Sequence, residues 1–144
     1  MAAIRRAMPF WYDDDMNYLF VCNGNVARSQ EAEAFFNDLN KGSTDRSESA
    51  GINVKLGKPI DPLVVEVMNE LGFDVSNSKR KFINEEIVDR ADVIISFKPL
   101  DELPDFLRVR KDIIFWQVAD PQHQSIEFHR EVRDAIRRLV SNLV

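Results

Sequence analysis

The sequence predicts an α/β protein, a three-layer sandwich in which helices flank a mostly parallel sheet. Three observations carry this expectation. The runs "YLFVC" from Tyr18, "DVIISF" from Asp92 and "DIIFWQV" from Asp112 are short, continuous and apolar, like strands buried on both faces. Between and after them lie segments whose apolar residues recur with the helical period. Strands therefore alternate with helices, the order that builds parallel pairing through crossover connections.

Residues 1–16 form an N-terminal extension without periodicity, ending in the acidic run Asp13 to Asp15. Its Phe10, Trp11 and Tyr12 supply enough apolar surface to dock on the domain, which spans 17–144. "YLFVC" is the first strand. From Ser29 the period changes: Ala32, Phe35, Phe36 and Leu39 share one helical face, with Gly42 as the expected stop. "RSESAGI" reads as a strand on propensity. In "KPIDPLVVEVMNELGF", Asp61 caps a helix, Pro62 suits its first turn, and Val64, Val67, Met68 and Leu71 form its apolar face before Gly72 ends it. "NEEIVDRA" is a short helix with its acids in the first turn. "KPLDELPDFLRVRK", with two prolines, is a loop with one helical turn, set between two strands of central character. A long closing helix runs from Ile126 to Leu143, with Phe128, Val132, Ile136, Leu139 and Leu143 as its stripe.

Composition narrows the function. At 144 residues, 44% hydrophobic with ten Phe, the chain buries a real core as one domain. A net charge of −5 argues against nucleic-acid binding, and no apolar run approaches membrane-spanning length. The N-terminus lacks the apolar stretch of a secretory signal. One cysteine excludes an internal disulfide and any paired-cysteine metal site, so a cytoplasmic protein with a reduced thiol is expected.

That cysteine, Cys22, stands where the first strand meets the next helix, the end of a parallel sheet at which ligands bind. Asn23, Gly24, Asn25, Val26 and Ala27 form the intervening loop, and Arg28-Ser29 open the helix. Gly24 and Asn25 tolerate unusual backbone angles, so the loop can curl with its N–H groups inward as an anion nest at a helix N-terminus. Arg28 would offer a planar fork to two oxygens of a tetrahedral oxyanion. Thiols at helix N-termini beside arginine titrate at roughly 3.5 to 7.5 instead of about 8.5, which would make Cys22 a thiolate facing bound phosphate. Ser29 would add a hydrogen bond to it. The competing reading is a cysteine that simply packs at the end of a core strand. Asp120, in "ADP" after the last strand, likewise reads either as a turn residue or as a group at the reactive end of the sheet.

"LFVCNGNVARSQEAEAFF" resembles the phosphate-binding loop of the low-molecular-weight protein tyrosine phosphatases and the related thioredoxin-linked arsenate reductases. The likeness continues through "SAGI", "GKPIDPLVVEVMNELGFDVS", "ADVIISF" and "VADP". It implies a four-stranded parallel sheet with the phosphate loop after the first strand. It also implies roles: Cys22 as nucleophile, Arg28 as phosphate holder, Ser29 as support for the thiolate, and Asn25 as a left-handed loop residue braced by Ser49. Asp120 would be the general acid, and neither metal nor cofactor is needed. Substrates would be a phosphorylated protein or a small oxyanion, met by a monomer or weak dimer with no membrane or nucleic-acid partner.

The chain also departs from those relatives. Ala27 replaces a second loop cysteine, Gln122 and His123 follow Asp-Pro where phosphatases carry aromatics, and Ser78 stands where a loop-supporting His is common. Gln30 leans toward the reductases, yet the further cysteines of their relay are missing. Three functions follow: a phosphatase of phosphotyrosine or aryl phosphates, a single-cysteine arsenate reductase using an external small thiol, or a non-catalytic oxyanion binder. The first is preferred. His123 and His129 are expected to be exposed residues near a helix start rather than metal ligands. Arg130, Arg133 and Arg137 are expected to form a solvated basic face, and Trp116 to pack at the core or its rim.

Overall fold

The computed structural model describes residues 15–110 and 112–143. The four-stranded sheet has the order β2-β1-β3-β4 and is parallel throughout. Strand β1 (Asn17–Cys22) lies between β2 (Arg46–Gly51) and β3 (Val93–Ser96), and β4 (Ile114–Phe115) closes one side. Helix α1 (Arg28–Leu39) carries the chain from β1 out to β2, and the chain then crosses back over β1 to β3. The direction of winding reverses at β1, and the carboxyl end of β1 is the crevice that such a reversal opens.

Side-chain alternation along β1 divides the core. Tyr18, Phe20 and Cys22 face a cluster that includes Phe35, Phe36, Met68, Trp116 and Ile136, supplied largely by α1, α2 (Pro62–Asn69) and α5 (Ile126–Ser141). Leu19 and Val21 face the opposite layer with Ile87, Val88, Ile94, Leu103 and Leu107, under α3 (Glu85–Asp89) and α4 (Asp105–Arg108). Strands covered on both faces need no polar alternation, which explains the continuous apolar runs. Phe20, Phe35 and Phe36 are fully buried, each stabilising the layer by roughly 1.5–3 kcal/mol.

Local chemistry sets the helix boundaries. The Asp61 carboxylate accepts from the Leu63 N–H at 2.9 Å with Pro62 in the first turn, and Gly72 takes φ +88° just beyond the end of α2. Asn84 caps α3 by accepting from Ile87, and Ser125 caps α5 by accepting from Phe128. The helical turn expected in the Pro-containing connection is α4, preceded by a 3-10 turn at Leu100–Glu102.

Several expectations are corrected. Helix α1 stops at Asn40, whose side chain turns back to donate to the Phe36 carbonyl at 2.9 Å, so Gly42 is not its terminus. The "DIIFWQV" run is not a central strand. Only Ile114 and Phe115 pair, at the sheet edge, and Phe115 is exposed. The apolar stripe of α5 is rotated, with His129 and Val140 buried while Phe128 and Leu139 are half-buried. His129 is therefore not an exposed helix-start residue. It is completely enclosed, and among the described residues neither ring nitrogen meets a protein partner; His123 is exposed as expected.

The arginines of α5 are not a free solvated face either. Arg130 and Arg133 both donate to the Glu70 carboxylate, at 2.7 Å each, and hold its pKa at about 2. Arg137 lies over the Phe35 ring at 5.7 Å. This basic row fastens α5 to its neighbours. Trp116 packs against Phe20 and Phe97 in the core. The docking surface expected of Phe10, Trp11 and Tyr12 lies outside the described residues. Among the described residues, no helix is long and apolar enough to cross a membrane.

Candidate active site

Strand β1 ends by delivering the Cys22 side chain to the α1 face, at the reversal of winding. Residues 23–27 then connect directly into α1. Among the described residues, the backbone N–H groups of residues 24–28 find no protein acceptor, and Ala27 at the N-cap brings no side-chain cap. Unused N–H groups at the positive end of a twelve-residue helix have the chemistry of an anion cradle. This matches the loop expected from sequence.

The turn depends on Asn25, which adopts φ +52° and is fully buried. Its amide nitrogen donates to the Ser29 hydroxyl at 2.8 Å and to the Ser49 hydroxyl at 2.9 Å. Its amide oxygen accepts from the Lys81 backbone N–H at 2.7 Å and from Gln30 at 3.1 Å. Four bonds on one side chain hold a left-handed residue that an apolar side chain would not hold. Gln30 also donates to the Asn25 and Lys79 carbonyls, so it bolts the loop to the 79–81 segment. Ser78 makes no bond to the loop among the described residues; its backbone N–H donates to Val75. Gln30 takes the bracing role.

Ser29 closes the circuit. Its hydroxyl lies 2.9 Å from the Cys22 sulfur, and because Asn25 already donates to that oxygen, the hydroxyl proton is free to point at the sulfur. Behind it, Ser49 donates to Glu33 at 2.7 Å, and burial pushes the Glu33 carboxyl up against that bond. A Cβ on Gly51 would lie 2.8 Å from both the Asn23 carbonyl and the Asn25 nitrogen, so β2 approaches the loop as only glycine permits.

Arg28 is mostly buried. Its Nη1 donates to the carbonyls of Phe97 at 3.2 Å and Val118 at 2.9 Å, and its guanidinium lies 6.0 Å over the Phe97 ring. That anchoring leaves Nε and Nη2 for a ligand. Nη2 lies 3.8 Å from the Asp120 carboxylate, whose side chain is 45% exposed at the mouth of the site. The other Asp120 oxygen accepts from the Gln122 N–H at 3.0 Å, which fixes its rotamer. Lys98, after β3, donates to Asn23 at 3.1 Å and adds positive charge beside the loop.

Every residue expected at the site from sequence thus meets in one place. What the sequence reading missed is the framework of Gly51, Glu33, Lys81 and the anchoring carbonyls of Phe97 and Val118. The glycine of "SAGI" was the one available signal, since a strand glycine marks close backbone approach.

A family model for low molecular weight phosphotyrosine protein phosphatase matches residues 17–144. The chain belongs to this family. It is 32% identical over 127 residues to a glutaredoxin arsenate reductase of Synechocystis sp., an alignment covering 88% of this chain and 94% of that relative. It is 30% identical over 129 residues to the probable low molecular weight protein-tyrosine-phosphatase EpsP of Ralstonia nicotianae, covering 83% and 88% respectively. Its fold superimposes on the crystal structure of a low molecular weight protein tyrosine phosphatase from T. tengcongensis with a TM-score of 0.79 and 28% identity. That match covers 89% of this chain and 97% of the other. The family is that of phosphatases and related enzymes acting on phosphorylated substrates or oxyanions.

Proposed function

We propose that this chain is a cysteine-dependent phosphatase that hydrolyses phosphotyrosine or small aryl phosphate monoesters. One observation carries the reading: a sulfur hydrogen-bonded to Ser29 stands at the head of α1, the helix whose first residue, Arg28, lies 3.8 Å from Asp120. A binder would need the cradle but neither the thiol nor the acid.

In this reading the loop N–H groups and the free Nε and Nη2 of Arg28 hold the phosphoryl oxygens in line with Cys22. The thiolate attacks phosphorus while the bond to the leaving oxygen breaks, and Asp120 gives that oxygen its proton. The Ser29 hydroxyl and the helix N-terminus stabilise the thiolate when it is later released. Asp120, now a carboxylate, takes a proton from water as the water attacks phosphorus. The P–S bond breaks, phosphate leaves, and both groups return to their starting forms.

A second reading, arsenate reduction, draws on Gln30 and on the arsenate reductases among the relatives. Arsenate would bond to Cys22, and an external thiol would supply two electrons, ending as a disulfide as arsenite departs. Hydrolysis of p-nitrophenyl phosphate from mildly acidic to neutral pH, with Cys22→Ser alongside, decides between them. The phosphatase reading expects turnover that vanishes in Cys22→Ser while binding of inorganic phosphate is retained. Substantial turnover in Cys22→Ser would sink the mechanism. No turnover from folded native protein, together with thiol-dependent reduction of arsenate, would replace it with the second reading.

A further inference from the structure

Beside the catalytic loop lies a groove of about 380 Å³, lined among others by Val26, Lys55, Lys58, Arg80, Gln122 and His123. Val26 belongs to the loop, and Gln122 and His123 follow Asp120, so the groove begins at the mouth of the site. Among the described residues, three cations line it against one acid, Asp61, and that acid is already engaged in capping α2.

These cations differ from most of the others in lacking a carboxylate partner. Lys41, Lys81, Arg90, Lys98, Arg108, Arg110, Arg130 and Arg133 each have a carboxylate partner within the molecule. Among the described residues, Lys55, Lys58 and Arg80 have none. On a chain of net charge −5, unpaired cations gathered in one groove are a local reversal of sign.

Arg80 is held in place as well. Its Nη2 donates to the Pro59 carbonyl at 2.7 Å, while its buried Nε has no partner among the described residues. It sits between Lys79 and Lys81, whose backbone groups bond Gln30 and Asn25, so its height above the catalytic loop is set by the loop's own braces. A neighbouring groove of about 390 Å³ shares Lys58 and Arg80 and adds Lys79, prolonging the positive track.

We infer that the site selects phosphorylated protein segments carrying Asp or Glu beside the phosphorylated residue, the flanking carboxylates resting on Lys55, Lys58 and Arg80. Polar Gln122 and His123 at the mouth leave charge, rather than ring packing, to discriminate substrates. The inference rests on the phosphatase reading for what happens at Cys22, but the binding preference is measured separately from turnover.

The test uses two fluorescent phosphotyrosyl peptides, one with Glu flanks and one with Ala flanks, titrated onto full-length Cys22→Ser protein. The Glu-flanked peptide is expected to bind about tenfold more tightly at low salt, an advantage that shrinks toward parity by about 0.5 M NaCl. Lys58→Glu, an exposed change, is expected to cut the ratio of the two affinities several-fold, and Lys55→Glu/Lys58→Glu to abolish it. Equal affinities, or a preference insensitive to salt and to both variants, would overturn the inference. Parallel p-nitrophenyl phosphate turnover by the native chain reads the phosphatase reading alone. Its absence alongside a retained Glu preference would overturn that reading and uphold this one.

Discussion

Replacing Glu31 by glutamine should flatten a loss of stability that the native chain suffers as pH rises. Glu31 lies in the first turn of α1, where a carboxylate ordinarily gains from the helix dipole. Here it is completely enclosed, and among the described residues neither oxygen has a hydrogen-bond partner. Desolvation dominates and raises its pKa from 4.5 to about 8, despite the opposing pull of Arg133 and, less strongly, Arg28. Between those two values the folded chain keeps a proton that the unfolded chain has released. Unfolding therefore releases a proton, and stability falls with rising pH by about 1.4 kcal/mol per unit until the folded group also ionises. From 4.5 to about 8 this amounts to roughly 5 kcal/mol for a fully enclosed group, an upper figure that any relaxation of the site reduces. Urea unfolding of both proteins at half-unit steps from pH 5 to pH 9 measures it. Glu31→Gln should gain on the native chain steadily up to about pH 8 and hold a constant margin of a few kcal/mol above it. Curves that stay parallel across the range would refute the reasoning, because they would mean that Glu31 titrates alike in both states.

Two further outcomes follow from the site. Asp120→Ala should lower kcat by about 10²- to 10⁴-fold for substrates with poor leaving groups and much less for p-nitrophenyl phosphate, whose leaving oxygen needs little protonation. An equal loss for both, read from kcat across a series of aryl phosphates, would remove Asp120 from the acid role. Gly51→Ala should destabilise the fold by about 1–3 kcal/mol. It should also reduce turnover on the order of a hundredfold, because the new methyl group meets the Val54 side chain at 2.6 Å and, at 2.8 Å, the backbone of Asn23 and Asn25, which cannot give way without moving the loop. Native-like activity in that variant would show that the loop is not held by β2.

The layers and the loop were legible because they rest on local rules. Strands covered on both faces show continuous apolar runs, Asp61-Pro62 and Gly72 punctuate a helix, and Cys22 through Ser29 are contiguous. Failures occurred where a residue's environment comes from a distant element. "DIIFWQV" has the composition of a central strand, but its position in the sheet depends on how the preceding crossover runs. His129 is a polar residue at a helix start that turns inward because α5 rotates to cover α1. Arg130 and Arg133 look solvated until Glu70, some sixty residues earlier, is brought beside them.

The sequence by itself therefore determined the α/β architecture, the family and the loop from Cys22 to Ser29. Chain order and side-chain type suffice when neighbours in space are neighbours in sequence. Only the tertiary structure decided what holds that loop and what surrounds it. The bond from Lys81 to Asn25, the grip of Phe97 and Val118 on Arg28, the burial of Glu31 and the gathering of Lys55, Lys58 and Arg80 all join segments far apart in the chain. Desolvation and charge depend on what the remaining layers bring into contact, which no local pattern encodes.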